Sequence, residues 1–121
     1  MKSCLIVDDS RVVRTVARKI LEELKFQVYE AEDGVQALNI CANTMPDAVL
    51  LDWNMPQMNG IDFLRRLRQT SNGSKPKVIF CTTENDVDHI VEAMHLGADE
   101  YIMKPFDTEI IESKFNQVGL L

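Results

Sequence analysis

Short apolar runs recur along the chain at Cys4–Val7, Val28–Ala31, Ala48–Leu51, Val78–Cys81 and Tyr101–Met103, and each is followed by a segment of helical period. Their near-continuous apolar character suits strands of a parallel sheet covered on both faces. Between the first two runs, Val12, Val13, Val16, Ala17, Ile20, Leu21 and Leu24 repeat at helical spacing. They predict an amphipathic helix over Ser10–Leu24 with Ser10 as its N-cap. The same reasoning predicts helices over Val35–Ala42, Ile61–Arg68, Val87–Leu96 and Thr108–Val118. Gly97 is placed to end the fourth, and Asp107 or Thr108 to cap the fifth. Met94, on the side of Val87, Ile90 and Val91, is expected in the core.

Five strand–helix units with right-handed crossovers make an α/β protein, an open doubly wound parallel sheet in a single domain spanning residues 1–121. The polar Ser71–Ser74 stretch is a turn, too short for a domain linker. In such sheets ligands bind outside the carboxyl ends of the strands. The residues that end each strand are therefore the candidates for chemistry.

Charge and cysteine usage narrow the field. Nineteen acidic against thirteen basic residues give a net charge of −6, the wrong sign for a protein that tracks a nucleic-acid backbone, so no DNA partner is expected. The longest uninterrupted apolar runs have four residues, so neither a signal peptide nor membrane insertion is expected. Cys4, Cys41 and Cys81 lie inside apolar segments without metal-ligand spacing, as small buried hydrophobes of a reducing, cytoplasmic setting.

The strand ends carry a distinctive set. Asp8 and Asp9 follow the first strand, Asp52 ends the third, Thr82 and Thr83 close the fourth, and Lys104-Pro105 closes the fifth. Two carboxylates about 5 Å apart repel by roughly 3 kcal/mol at an effective dielectric near 20, so three pairs cost on the order of 10 kcal/mol. Lys104 offsets part of this, and one divalent cation would bring the site to neutrality. Mg²⁺ is the expected cofactor, because it binds through one or two carboxylates plus phosphate oxygens and keeps several waters.

The stretches Leu5-Ile-Val-Asp-Asp-Ser, Leu50-Leu-Asp-Trp-Asn-Met-Pro, Thr82-Thr-Glu and Gly97-Ala-Asp-Glu-Tyr-Ile-Met-Lys-Pro-Phe resemble the receiver domain of two-component response regulators, most of all the stand-alone, CheY-like kind. The resemblance runs in order over essentially the whole chain. It implies a flavodoxin-like sheet of order 2-1-3-4-5 with five helices. It implies that Asp52 is the phosphoacceptor, and that Asp8, Asp9, Asp52 and the backbone carbonyl of Asn54 hold Mg²⁺. Thr82 and Lys104 match the residues that contact the phosphoryl group, and Tyr101 an aromatic that reports activation. Asn54 and Glu84 match positions that tune phosphate hydrolysis. Thr83 departs from the small residue often found there, and Asn59-Gly60 from Asp-Gly.

The function implied is a phosphorylation-gated switch of a phosphorelay, fed by a histidine kinase or histidine phosphotransfer protein and acting on an unknown protein target, in chemotaxis or elsewhere. It is not an enzyme beyond its own phosphorylation and dephosphorylation. Because the chain ends at Leu121, output through protein–protein contact or onward phosphate shuttling is expected. A phosphatase of the haloacid dehalogenase type would want a second aspartate two positions after the nucleophile, where Asn54 stands. A flavodoxin-like cofactor binder would bring phosphate against Asp8 and Asp9 without a metal, and a pseudo-receiver would leave the filled key positions idle.

Other residues admit two readings each. Trp53 is either packing or a shield beside the site. His89 and His95 are expected to be solvated surface residues. Arg11, Arg14 and Arg18 form a stripe outside the apolar face of the first helix, either a solvated face or a docking surface for a helical phosphodonor.

Overall fold

The computed structural model describes residues 1–83 and 86–121. Its strands are β1 (Ser3–Val7), β2 (Gln27–Ala31), β3 (Ala48–Asp52), β4 (Lys77–Thr82) and β5 (Glu100–Met103). The helices α1 (Arg11–Glu23), α2 (Gly34–Asn43), α3 (Gly60–Gln69), α4 (Val87–His95) and α5 (Thr108–Gln117) alternate with them. All pairings are parallel and the order is β2-β1-β3-β4-β5, so the expected architecture is observed. No helix among the described residues is long and apolar enough to cross a membrane.

The period-2 alternation of the strands divides the core between two faces. Leu5, Val7, Val49, Leu51, Val78 and Phe80 point to one face and pack with Ala37 and Cys41 of α2, Phe63, Leu64 and Leu67 of α3, and Ala93 of α4. Cys4, Ile6, Ala48, Leu50, Ile79, Cys81 and Ile102 point to the other face and meet Ala17, Ile20 and Leu21 of α1 and Ile111 and Phe115 of α5. Helices on both faces explain why β1, β3 and most of β4 read as unbroken apolar runs. All three cysteines are buried and free.

Four helix starts are capped by the side chain before them. Ser10, Asp33, Asn59 and Asp107 accept from the backbone N–H of Val13, Gln36, Asp62 and Ile110, so Asp107, not Thr108, caps α5. Gly97, at φ 109°, follows α4 in the left-handed region that favours glycine.

Two expectations about helix faces fail. On α1 the apolar stripe is wider than the sheet can cover: Val12 and Val16 are 73% and 46% exposed, whereas Arg14 is buried. The arginine stripe is not a free face either. Arg14 donates to Glu30 and to the backbone oxygen of Asp8, and Arg18 pairs with Glu30 and Glu22. Burial works against the Glu30 carboxylate, but hydrogen bonds from Arg18 and Arg14 hold its pKa below the ordinary range. Only Arg11 of the three is exposed. On α4 only Ala93 is buried, and Met94, Val87 and Val91 are exposed, because the helix meets the sheet edge along the Ile90–Ala93 side.

Candidate functional site

Strand parity decides which strand-end side chains can meet. Asp8, Asp52 and Lys104 continue the alternation of Ile6, Leu50 and Ile102, and so emerge toward the α1–α5 side of the sheet edge. Thr82 continues Val78 and Phe80 and emerges toward the α4 side.

Asp8, Asp9 and Asp52 each bring a carboxylate oxygen within 4.8 Å of the others. Lys104 Nζ donates to Asp8 Oδ2 at 2.8 Å and to Asp52 Oδ1 at 2.9 Å. The remaining oxygen of Asp8 accepts from the Ser10 N–H, and Arg14 donates to the Asp8 backbone oxygen at 2.6 Å. The buried arginine thus fixes the loop that carries both first-strand aspartates. On the β5 side, Lys104 N–H donates to the Thr82 backbone oxygen, extending the ladder by one rung and aiming the lysine inward. Gly60 opens α3 hard against β3: its N–H donates to the Trp53 oxygen, and a Cβ there would run into the Asp52 carbonyl.

A cleft of about 430 Å³ opens over these groups, lined by Asp9, Asp52, Trp53, Asn54, Thr83, Asp86 and Lys104. Asp52 sits at its floor, 7% exposed, and burial pushes its carboxyl from the ordinary 3.8 up to about 6 against the pull of Lys104. Repulsion from Asp8 and Asp9 adds less than burial does, so desolvation is the main source of the strain assigned from the sequence to crowding. Burial also opposes the Lys104 charge, but hydrogen bonds to Asp8 and Asp52 outweigh it and hold its pKa above the ordinary value. Three carboxylates and one ammonium carry a formal −2. Hard oxygen donors with that charge, open to solvent through Asp9 and the exposed Asn54, fit a hydrated divalent cation.

Thr82 is buried, and its hydroxyl donates away from the carboxylates, to Asp86 Oδ2 at 2.9 Å. Tyr101 lies half-buried on β5, with Lys114 Nζ 4.9 Å from its ring centre. Glu84 lies outside the described residues. The sequence reading missed Asp86, which takes hydrogen bonds from Trp53 Nε1, Thr82 Oγ1 and Thr83 Oγ1. It also mistook His89, which is half-buried and stacked on the Trp53 indole with ring centres 3.7 Å apart. A signal for Asp86 existed in its place as the residue before α4. None pointed to the stacking, which joins residues from different units.

The five-stranded parallel sheet of order 2-1-3-4-5, covered by helices on both faces, is the CheY-like class of flavodoxin folds. The response regulator receiver domain description matches residues 4–116, and the chain belongs to that family. It is 35% identical over 116 residues to chemotaxis protein CheY1 of Helicobacter pylori, covering 94% of each. It is 41% identical over 105 residues to response regulator MprA of a Mycobacterium species, covering 87% of this chain but 45% of that protein. Among solved structures, the chemotaxis response regulator CheY4 of Vibrio cholerae superposes with a TM-score of 0.91 at 30% identity over 98% of both chains.

Proposed function

We propose that this chain is a phosphorylation-gated switch in which Asp52 accepts a phosphoryl group. The observation that carries the reading is the position of Asp52, buried at the floor of an open cleft between Lys104 and two further carboxylates. Asp8, Asp9 and Asp52 would hold Mg²⁺, together with the Asn54 backbone carbonyl that the family resemblance assigns. When bound, the cation supplies charge neutralisation at the phosphoryl oxygens.

The chain's own residues account for the rest. A carboxylate oxygen of Asp52 bonds to phosphorus as the bond from phosphorus to the donor nitrogen breaks, leaving an acyl phosphate. Lys104 already sits 2.9 Å from Asp52 Oδ1, where it can neutralise charge on the transferring group without a long move. The Thr82 hydroxyl donates a hydrogen bond to a phosphoryl oxygen once one is present, and Tyr101 follows on the same side of β5. Asn54 at the cleft mouth and Glu84 tune the lifetime of the acyl phosphate.

Two exposed apolar surfaces support the proposed partners. Beside the site, Val12, Val13, Val16, Pro105 and Phe106 line a groove of about 300 Å³ next to Lys104, suited to a helical histidine phosphotransfer domain or kinase. Val87, Val91, Met94 and Met103 are exposed around α4 and β5, a second face for a downstream protein. The likeness to chemotaxis proteins supports motility control as the setting, with onward phosphate transfer as the second output.

The test is incubation with acetyl phosphate and Mg²⁺, followed by intact-mass and peptide mapping. One phosphoryl group per chain on Asp52 is expected, absent from Asp52→Asn. Continued turnover of added phosphoesters without an adduct would instead favour a phosphatase.

A further inference from the structure

Asp86 stands at the start of α4, where Asp commonly caps the helix, yet its side chain makes no capping bond there. At each of the other four helices the equivalent side chain does so. Asp86 spends its carboxylate elsewhere. Oδ2 accepts from Trp53 Nε1 at 2.9 Å, Thr82 Oγ1 at 2.9 Å and Thr83 Oγ1 at 3.0 Å. Oδ1 lies 3.6 Å from His89 Nδ1, and His89 stacks on the same indole. Hydrogen bonds from Trp53 first, then Thr82, hold the Asp86 carboxyl below its ordinary pKa, so the acceptor is ionised at neutral pH.

We propose that Asp86 is a latch: it holds the Thr82 hydroxyl on the α4 side of the sheet and thereby sets how tightly the Asp52 site takes a phosphoryl group. A hydroxyl has one proton to donate. Given to Asp86, it is withheld from a phosphoryl oxygen on Asp52, so the two arrangements exclude each other. A ligand shifts such an equilibrium only by its differential contacts, and here the latch bond must be given up to gain the new one. The same carboxylate ties Trp53, which follows Asp52, to the first turn of α4. Releasing Thr82 therefore loosens the tether between the site and the helix whose exposed face is the proposed output. Asp86 acts through Thr82 and is a positioning residue.

This inference rests on reading Asp52 as phosphoacceptor and Thr82 as its hydroxyl partner. The test compares wild type, Asp86→Ala, Thr82→Val and the double variant, titrated with beryllium fluoride and Mg²⁺ and followed by amide NMR. Asp86→Ala is expected to bind the phosphoryl mimic about tenfold more tightly, the low end of what one hydrogen bond to a charged group is worth. Losing a negative charge from the cleft wall favours an anion by itself, so the decisive reading is the coupling. In the Thr82→Val background, the gain from Asp86→Ala must fall to the part that is plain electrostatics.

The latch has a second signature without ligand: Asp86→Ala should destabilise the free protein more when Thr82 is present than when it is Val. Asp86→Leu, similar in shape and without an acceptor for the Thr82 hydroxyl, serves if the alanine variant folds poorly. An equal gain in both backgrounds, or no gain from Asp86→Ala while wild type binds the mimic, overturns the latch and leaves the Asp52 reading standing. Failure of wild type to bind the mimic at all overturns the Asp52 reading and the latch with it.

Discussion

Replacing Asp52 by Asn should stabilise the metal-free protein at neutral pH, and the gain should vanish in acid. The native carboxyl is pushed from 3.8 to about 6, chiefly by burial, and its side chain is only 9% exposed. Below pH 3.8 the group is protonated in both folded and unfolded chains, and it makes no difference to stability. Between 3.8 and 6 the unfolded chain releases its proton while the folded one keeps it, so stability falls as pH rises. Above 6 the loss is complete. A gap of roughly two pH units at about 1.4 kcal/mol each amounts to about 3 kcal/mol.

An amide in the same place carries no charge to desolvate and no repulsion toward Asp8 and Asp9, while Lys104 keeps its bond to Asp8. The shift to about 6 is already net of the pull of Lys104, so the gain is about 3 kcal/mol at pH 7.5 and falls to about 0.5 kcal/mol at pH 4. Urea unfolding in a chelating buffer at both pH values measures it directly. A loss of stability at pH 7.5, or a gain of equal size at both pH values, refutes the reasoning.

Three further outcomes follow from the same geometry. At ten times its Kd for wild type, Mg²⁺ should stabilise wild type by about 1.4 kcal/mol and so raise its unfolding midpoint, and at the same concentration raise that of Asp9→Asn by less; equal rises in a thermal scan would contradict a site built from all three carboxylates. Lys104→Met removes the cation that pulls the Asp52 pKa down, so the pH profile for phosphorylation by acetyl phosphate should move to higher pH, and an unmoved profile would separate the lysine from the nucleophile. Arg14→Met should cost about 2 kcal/mol in urea unfolding, because it strips hydrogen bonds from Glu30 and from the Asp8 carbonyl, and a change within a few tenths of a kcal/mol would mark Arg14 as a surface residue after all.

The alternation of apolar runs and helical periods was enough to place all ten elements, because a sheet covered on both faces writes its strands as unbroken apolar stretches. Strand ends were legible for the same reason, and Asp8, Asp9, Asp52 and Lys104 do converge. What periodicity could not convey was how wide a face each helix buries. Val12, Val16 and Met94 are apolar but lie beyond what the sheet covers, while Arg14 is buried because Glu30 on β2 and the Asp8 carbonyl satisfy it. The direction of the Thr82 hydroxyl was implicit in strand parity, two residues on from Phe80, but its acceptor depended on where α4 begins. The Trp53–His89 stack depended on tertiary placement alone, joining the end of β3 to α4.

The central claim is that Asp52 is a buried carboxylate poised for a cation and a phosphoryl group. Carboxyl-carbon NMR of selectively labelled aspartate, titrated with and without Mg²⁺, addresses it most directly, with Asp52→Asn assigning the resonance. The account predicts a midpoint near pH 6 without metal, falling when Mg²⁺ is added because the cation favours the charged form. A midpoint at the ordinary 3.8 that ignores Mg²⁺ would contradict it.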